Sequence, residues 1–351
     1  MLNLIKIIGV LVLVVLIAFS ALLAYLTVFE YDPDSSENLE VTASARHDSI
    51  VLGEKYKIIS YNTGYSGLDR TQDYFMDGGK TAGANNAEIV KRNMNGNLSS
   101  LTIHDADIYL LQEVDVDSNR SFKTGQVSHY RSGLAMNSAY AMNYRCDFVP
   151  IPWPPIGKVT SGIQTLTNMK VTSAQRISLP VPFKWPFSIA NLKRCLLVER
   201  IDIADSDKEL VIINLHLEAY DDGVGREAQL TVLKELLEAE YKKRNYVIAG
   251  GDFNASFPGD EYEQIETGGW IPGKLTTLDL PGNFFFADDK SVPSVRSLKT
   301  PYNGDRKTTQ FYSIDGYIIS NNITVNHIET IDLNFQYSDH QPVFLEFTLK
   351  Q

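Results

Sequence analysis

The sequence predicts a mixed α/β (α+β) domain preceded by a single transmembrane helix, and three observations carry that prediction. Short apolar runs rich in β-formers, such as KYKIISYN from Lys55 and LVIINLHL from Leu210, recur at strand length. Some are separated by segments with helical spacing of apolar residues, while others follow one another directly, which points to mixed rather than purely parallel sheets. At the amino terminus no charge occurs between Lys6 and Glu30, a run long enough to cross a hydrocarbon core of roughly 30 Å as a helix.

Residues 1–30 are therefore expected to form the membrane span. A cleavable signal peptide is the rival, since Ala18 and Ser20 loosely fit a cleavage site. The apolar run continues through Leu22, Leu23, Leu26, Val28 and Phe29, however, and exceeds the ~7–15 residues of a signal core. Lys6 precedes the span, and Glu30, Asp32, Asp34, Glu37 and Glu40 follow it. The positive-inside tendency then places the amino terminus in the cytoplasm and the rest of this single-pass chain outside. Residues 31–52 turn polar and acidic around Pro33, as expected of a solvated linker. The folded domain is expected over 53–351.

Within that domain the strand from Lys55 ends at Asn62, and a helix is expected over Ala87 to Leu101. The buried run IYLLQE from Ile108 ends at Glu113, and the strand from Leu210 carries His216 near its end. Leu230, Leu233, Leu237 and Tyr241 recur at helical spacing between Arg226 and Arg244, with Lys242, Lys243 and Arg244 in the last turn, where the helix dipole favours cations. VIAGGDFNAS, from Val247, finishes a strand with Asp252 and Asn254. Strands from Gln310 to Ser320 and from Gln341 to Leu349 complete the pattern; the first contains Asp315 and the second follows Ser338, Asp339 and His340.

Composition narrows the function. The 351 residues carry a net charge of −11 with no lysine or arginine block, so no broad attraction to phosphate backbones is built in. Cys146 and Cys195, the only cysteines, are too few for a disulfide framework and wrongly spaced for zinc; two unpaired core thiols are expected. Nothing marks an obligate protein partner.

Each polar residue at a strand end has an ordinary structural reading when taken singly. Together they form an inventory for phosphoester hydrolysis. Glutamate and aspartate can hold a hard cation through oxygen. Histidine can act as general base near neutral pH when an aspartate fixes its tautomer. Asparagine can donate to phosphoryl oxygens without adding charge.

In order, SYNTG at Ser60, LLQEV at Leu110, NLHLE at Asn214, GGDFN at Gly250, SIDGY at Ser313 and YSDHQP at Tyr337 make the chain resemble the endonuclease/exonuclease/phosphatase superfamily. That group includes deoxyribonucleases, abasic-site endonucleases, neutral sphingomyelinases and inositol polyphosphate 5-phosphatases. The resemblance implies a four-layer sandwich of two packed mixed β-sheets flanked by helices and a Mg²⁺ cofactor that Mn²⁺ can replace. It implies that Glu113 is the metal ligand, with Asn62 beside it and Asp339 a further metal or water-binding carboxylate. It also implies that His340 is the base oriented by Asp315, that His216 stabilises phosphate charge or protonates the leaving oxygen, and that Asp252 and Asn254 face the scissile phosphate. Two-residue strand periodicity is the expected means of aiming that last pair, with Phe253 packed away and Gly250 and Gly251 permitting close approach of backbone or substrate. Thr63 and Gly64 stand where some abasic-site endonucleases have an acidic residue, which speaks against that subgroup. Arg226 and Gln229 either contact phosphate or fix the loop after His216.

For the substrate, two proline- and aromatic-rich stretches stand out, 148–157 with Trp153 and 179–187 with Trp185. They either cover a sheet edge or form an apolar rim suited to a membrane interface. Anchoring, acidity and these loops favour a lipid headgroup or other membrane-derived phosphodiester, with the neutral sphingomyelinases nearest in character. An extracellular nuclease is the alternative, with Arg176 or Arg194 lining a groove. A non-catalytic module on the same fold would be marked by loss of a metal carboxylate or of either histidine, and all are present.

Overall fold

The computed structural model describes residues 2–351. The chain begins with helix α1 (Leu2–Val28), the long apolar element expected as a span. Strands β1 (Ser36–Leu39) and β2 (Lys55–Asn62) precede helix α2 (Ala87–His104), β3 (Ile108–Asp115) and helix α3 (Gln126–Leu134). Then come β4 (Asn137–Val149), β5 (Gly157–Thr167), β6 (Val171–Ser178), β7 (Cys195–Asp202), β8 (Glu209–His216), helix α4 (Val224–Lys242) and β9 (Tyr246–Asp252). Two short ribbons follow, β10 (Ala255–Ser256) with β11 (Gly273–Lys274), and β13 (Val295–Arg296) with β14 (Phe311–Tyr312). The remaining strands are β12 (Phe284–Ala287), β15 (Asp315–Ser320), β16 (Ile323–Thr330) and β17 (Val343–Leu349). The single strand expected over 310–320 is thus two, because Ser313 and Ile314 leave the ladder before β15 begins.

Seven strands form one sheet in the order β1-β6-β7-β8-β9-β15-β12, and six form the other in the order β16-β17-β2-β3-β5-β4. Both are mixed: β2–β3 and β8–β9 are parallel, and their neighbours are antiparallel. Ile58, Ile108, Leu110 and Leu345 from one sheet meet Ile212, Ile248, Tyr317 and Ile319 from the other in the central core. Leu230, Leu233 and Leu237 seat α4 on the outer face of the seven-stranded sheet, where strand alternation presents Val211, Ile213 and Val247. Met94, Leu101 and Tyr130 seat α2 and α3 on the other sheet. The result is a four-layer α/β sandwich, as the sequence implied.

One expectation fails on physical grounds. Segment 31–52 is not a solvated linker: β1 pairs with β6 along the sheet edge, Asp48 and Ile50 bridge to Met169 and Ile203, and Ile50 is fully buried in the central core. Its polar residues alternate outward from an edge strand, which composition cannot distinguish from a free linker.

Both cysteines are buried and unpaired. Glu199, between register partners Ala174 and Ile212 in the core, is fully buried, and neither carboxylate oxygen has a hydrogen-bond partner among the described residues. Burial pushes its pKa from the ordinary 4.5 up to about 8. The unfolded chain therefore releases this proton near pH 4.5 while the native state keeps it, so native stability from this group falls as pH rises through that window. Glu199→Met, which fills similar space without a charge, is expected to raise Tm, and by more at pH 8 than at pH 5. Equal gains at the two values in thermal melts would show that Glu199 does not titrate as inferred.

Candidate active site

The site is assembled from strands that end together. In the seven-stranded sheet, register sets His216 of β8 opposite Asp252 of β9, and Asp252 opposite Asp315 of β15. Register partners project to the same face, so a histidine and two carboxylates form one row across three strands. The six-stranded sheet adds Asn62, the last residue of β2, and Glu113 of β3. Glu113 has φ +55° at the bulge between Leu111 and Val114, where an extra residue re-aims a side chain. The turn before β17 supplies Ser338, Asp339 and His340, fixed by a bridge from His340 to Val295 and by Arg296 N–H donating to the Asp339 carbonyl at 3.0 Å.

His340 Nδ1 lies 2.8 Å from Asp315 Oδ2, which also accepts from Ser294 Oγ at 2.7 Å. The free edge of the ring, Nε2, faces Asp252 Oδ2 at 3.8 Å and Asp339 Oδ2 at 4.0 Å. From the other side His216 Nε2 stands 3.5 Å from Asp252 Oδ2 and 4.0 Å from Glu113 Oε1. Asn62 Nδ2 spans the two sheets, donating to Asp252 Oδ2 at 3.0 Å and to Glu113 Oε1 at 3.4 Å. All eight residues are buried except Glu113, which reaches solvent.

The two histidines are pushed in opposite directions. Burial alone lowers the pKa of His340, but Asp315, Asp252 and Asp339 outweigh it and hold the ring well above its ordinary range. Burial, reinforced by Arg194 and His340, lowers His216 well below its ordinary 6.5. Burial also raises Asp252, tempered by His340, and raises Asp339 to about 6. Glu113, Asp252, Asp315 and Asp339 form ion pairs only with histidines among the described residues. That surplus of hard oxygen donors fits a divalent cation. Asp252, Asp315 and His340 bring ligand atoms within 4.8 Å of one another, but Asp315 Oδ2 is already shared by His340 and Ser294. Asp315 Oδ1 has no partner among the described residues; of the expected set, Glu113 reaches solvent, whereas Asn62 Oδ1 already accepts from Gly64 N–H at 3.0 Å and its Nδ2 faces Glu113.

Asn254 borders this cluster for a different reason than periodicity. Strand β9 ends at Asp252, Asn254 has φ +47°, its N–H donates to Asp252 Oδ1 at 2.9 Å, and its Nδ2 donates to the Leu217 carbonyl at 2.8 Å. One of its two amide N–H bonds remains for a ligand. Phe253 packs away against Phe257, as expected. The glycines before it serve backbone approach, not substrate: a Cβ at Gly251 would meet the Leu215 carbonyl oxygen at 1.9 Å.

Four expected substrate residues lie elsewhere. Gln229 is fully buried, accepting from Glu218 N–H at 2.9 Å and donating to the Pro180 carbonyl at 3.0 Å, and Arg226 donates to the Glu218 carbonyl. Both fix the loop after His216. Trp153 and Trp185 stand on exposed loops, the indole of Trp185 donating to Thr27 Oγ1 of α1 at 3.1 Å. Arg176 and Arg194 line no groove. Arg176 is buried against the Met142 and Lys193 carbonyls, and Arg194 pairs with Glu218 and donates to the His216 carbonyl. Ser294, which orients Asp315, escaped the sequence reading because nothing around it in VPSVR distinguishes it.

The profile of the Endonuclease/Exonuclease/phosphatase family matches residues 60–316. No curated protein sequence matches. Among solved structures, an endonuclease/exonuclease/phosphatase from Beutenbergia cavernae is similar at 14% identity and TM-score 0.58, covering 84% of this chain and 72% of that one. ANGEL2, described as a 2′,3′-cyclic phosphatase in complex with adenosine-2′,3′-vanadate, is similar at 14% identity and TM-score 0.54, covering 89% and 99%. The human Nocturnin catalytic domain with bound sulfate is similar at 16% identity and TM-score 0.51, covering 89% and 97%. At these identities the likeness is one of fold.

Two substitutions test the assembly. His340→Ala is expected to lower turnover by ~10²–10⁴-fold with the melting curve preserved; near-normal turnover would remove His340 from the chemistry. Glu113→Gly should also abolish turnover while leaving Tm equal or higher, because glycine releases the ~1–2 kcal/mol that a left-handed conformation costs other residues. A lower Tm in that variant would show that the Glu113 carboxylate stabilises the fold by more than its backbone strains it.

Proposed function

Since the chain belongs to the endonuclease/exonuclease/phosphatase family, whose members are metal-dependent phosphoester hydrolases, we propose that it is a membrane-anchored, Mg²⁺-dependent phosphodiesterase acting on a lipid headgroup. The observation that carries the chemistry is the His340–Asp315 pair, whose free Nε2 edge faces Asp252 and Asp339 at a cluster that Asn62 ties to Glu113.

In this reading the carboxylate charge that otherwise keeps the His340 ring protonated is offset by the bound cation; water then attacks phosphorus as His340 Nε2 takes its proton, and Asp315, held by Ser294, fixes the ring and stabilises the imidazolium. Glu113 and Asp339, with Asn62 beside them, would hold Mg²⁺, which when bound would supply Lewis-acid polarisation and offset the excess of carboxylate. The low pKa of His216 keeps its ring neutral, so it donates a hydrogen bond to a phosphoryl oxygen and does not protonate the leaving group. Burial keeps a proton on Asp252 at higher pH than usual, which suits it to protonate the departing oxygen as the ester P–O bond breaks. The free N–H of Asn254 adds a donor for the charge that develops on phosphorus-bound oxygen.

A lipid substrate is favoured over nucleic acid by the net charge of −11 and by the engagement of Arg176 and Arg194 inside the fold. It is favoured also by helix α1, which is long and apolar enough to cross a membrane and, by the positive-inside tendency, would leave the catalytic domain outside the cytoplasm. The test is a side-by-side assay of the full-length protein on sphingomyelin vesicles, plasmid and single-stranded DNA, and a soluble phosphomonoester. Vesicle hydrolysis that needs Mg²⁺ and stops with chelator is expected. Plasmid cleavage with inert vesicles would make the protein a nuclease, and activity indifferent to chelation would contradict the metal role.

A further inference from the structure

Helix α1 does not leave the domain on a tether. Asn3 to Ala21 are all exposed, whereas Leu22, Leu23 and Leu26 pack into an apolar cluster with Tyr144, Val149 and Ile156 of the β4–β5 hairpin. Tyr25 Oη donates to Asp147 at 2.9 Å, and just beyond the helix Glu30 pairs with Lys193. The wholly exposed stretch is about 29 Å long at 1.5 Å per residue, the thickness of one hydrocarbon core when the ammonium of Lys6, one turn from its start, reaches back to the headgroups. If it fills that core, the membrane surface lies at Leu22, where the domain begins.

At that same level the domain presents large apolar side chains to solvent. Ile151 is 62% exposed, Trp153 89%, Trp185 59% and Phe187 73%. They come from two loops, 150–156 between β4 and β5 and 179–194 between β6 and β7, one from each sheet. Tryptophan and phenylalanine in such numbers suit the headgroup region, and the patch is continuous with an apolar helix that needs lipid on every side.

Strand register shows which end of the sandwich this is. Asp115, two residues after Glu113, pairs with Ser161, and β5 continues four residues outward to Gly157, so the hairpin tip projects ~13 Å beyond the catalytic strand end. In the other sheet Leu196 pairs with Leu215, which sets the end of the 179–194 loop at the level of His216. Anchor, aromatic loops and site residues therefore share one end of the molecule.

We propose that this end rests on the bilayer that α1 spans, with Ile151, Trp153, Trp185 and Phe187 in the interface, so that the cleft faces the headgroup layer. The substrate is then a phosphodiester presented by the same leaflet. This inference rests on the membrane-anchored lipid phosphodiesterase reading and gives it an orientation.

Full-length protein carrying Trp270→Phe emits from Trp153 and Trp185 alone, since the chain has three tryptophans. Reconstituted in phosphatidylcholine vesicles, it is expected to lose at least half its emission when the lipid is brominated near the headgroup end of the acyl chain. Emission unaffected by bromination overturns the docking. In phosphatidylcholine vesicles that also contain sphingomyelin, Ile151→Ser with Phe187→Ser should lower sphingomyelin hydrolysis at least fivefold while leaving a soluble phosphodiester unaffected. Equal losses on both substrates overturn the orientation. Quenching in a protein that cleaves only soluble esters or DNA would leave the docking standing and remove lipid as the substrate.

Discussion

The structure depends on how closely two sheets can approach along β9. A Cβ at Gly250 would come within 2.5 Å of the Tyr317 ring and 2.9 Å of Leu110 from the opposite sheet, and Gly251 would collide with the adjacent strand. Without side chains there, Tyr317 can reach across the core to the Val343 carbonyl at 2.7 Å and the Ile58 carbonyl at 3.3 Å. Gln112 and Asn214 make a second polar crossing at 2.8 Å. These links hold the ends of β2 and β3 against the ends of β8, β9 and β15, and only at that separation can Asn62 bond a carboxylate of the other sheet. The GG of GGDFN is thus a packing requirement first and a catalytic signature only by consequence.

Such closeness creates an electrostatic problem. Three aspartates and two histidines are buried within hydrogen-bonding distance or little more, and burial disfavours every charged form unless partners compensate. Compensation is partial: Asp315 Oδ1 and His216 Nδ1 have no partner among the described residues. A site of this kind is held in place by the surrounding fold rather than contributing to its stability. The strained backbone of Glu113 and Asn254 has the same character, in contrast to the unstrained apolar ladders behind it.

Much of this was legible in the sequence. Asn62, Glu113, His216, Asp252, Asp315, Asp339 and His340 each close an apolar run or precede one, and strand ends of neighbouring β-strands must meet. What the chain did not disclose falls into two physical classes. Backbone conformation is one: the left-handed residues at 113 and 254 carry no compositional mark, so it is a left-handed turn and not strand alternation that sets Asn254 beside Asp252. Long-range pairing is the other. Ser294 acts through a residue 21 positions away, Arg226 and Gln229 belong to loop support, and the acidic stretch after α1 finds its partner in β6, far along the chain. Edge strands are the hardest case, because one solvated face gives them the polarity of a linker.

That last difference changes what anchoring means. A flexible linker of about twenty residues has a root-mean-square reach of ~25 Å, and a domain on such a tether samples the membrane surface in every orientation. Pairing of β1 with β6, burial of Ile50 and the seating of Leu22, Leu23 and Leu26 remove that freedom before any substrate is met. In the proposed membrane-bound orientation the orientational entropy of docking is lost on folding and not on each encounter, so even a weakly apolar patch would keep the loops in the interface. If the proposed docking holds, affinity for an individual headgroup need not be high, because diffusion would be confined to two dimensions with the cleft already facing the plane. Selectivity would then reside less in a deep pocket than in which phosphoesters share the bilayer with the helix.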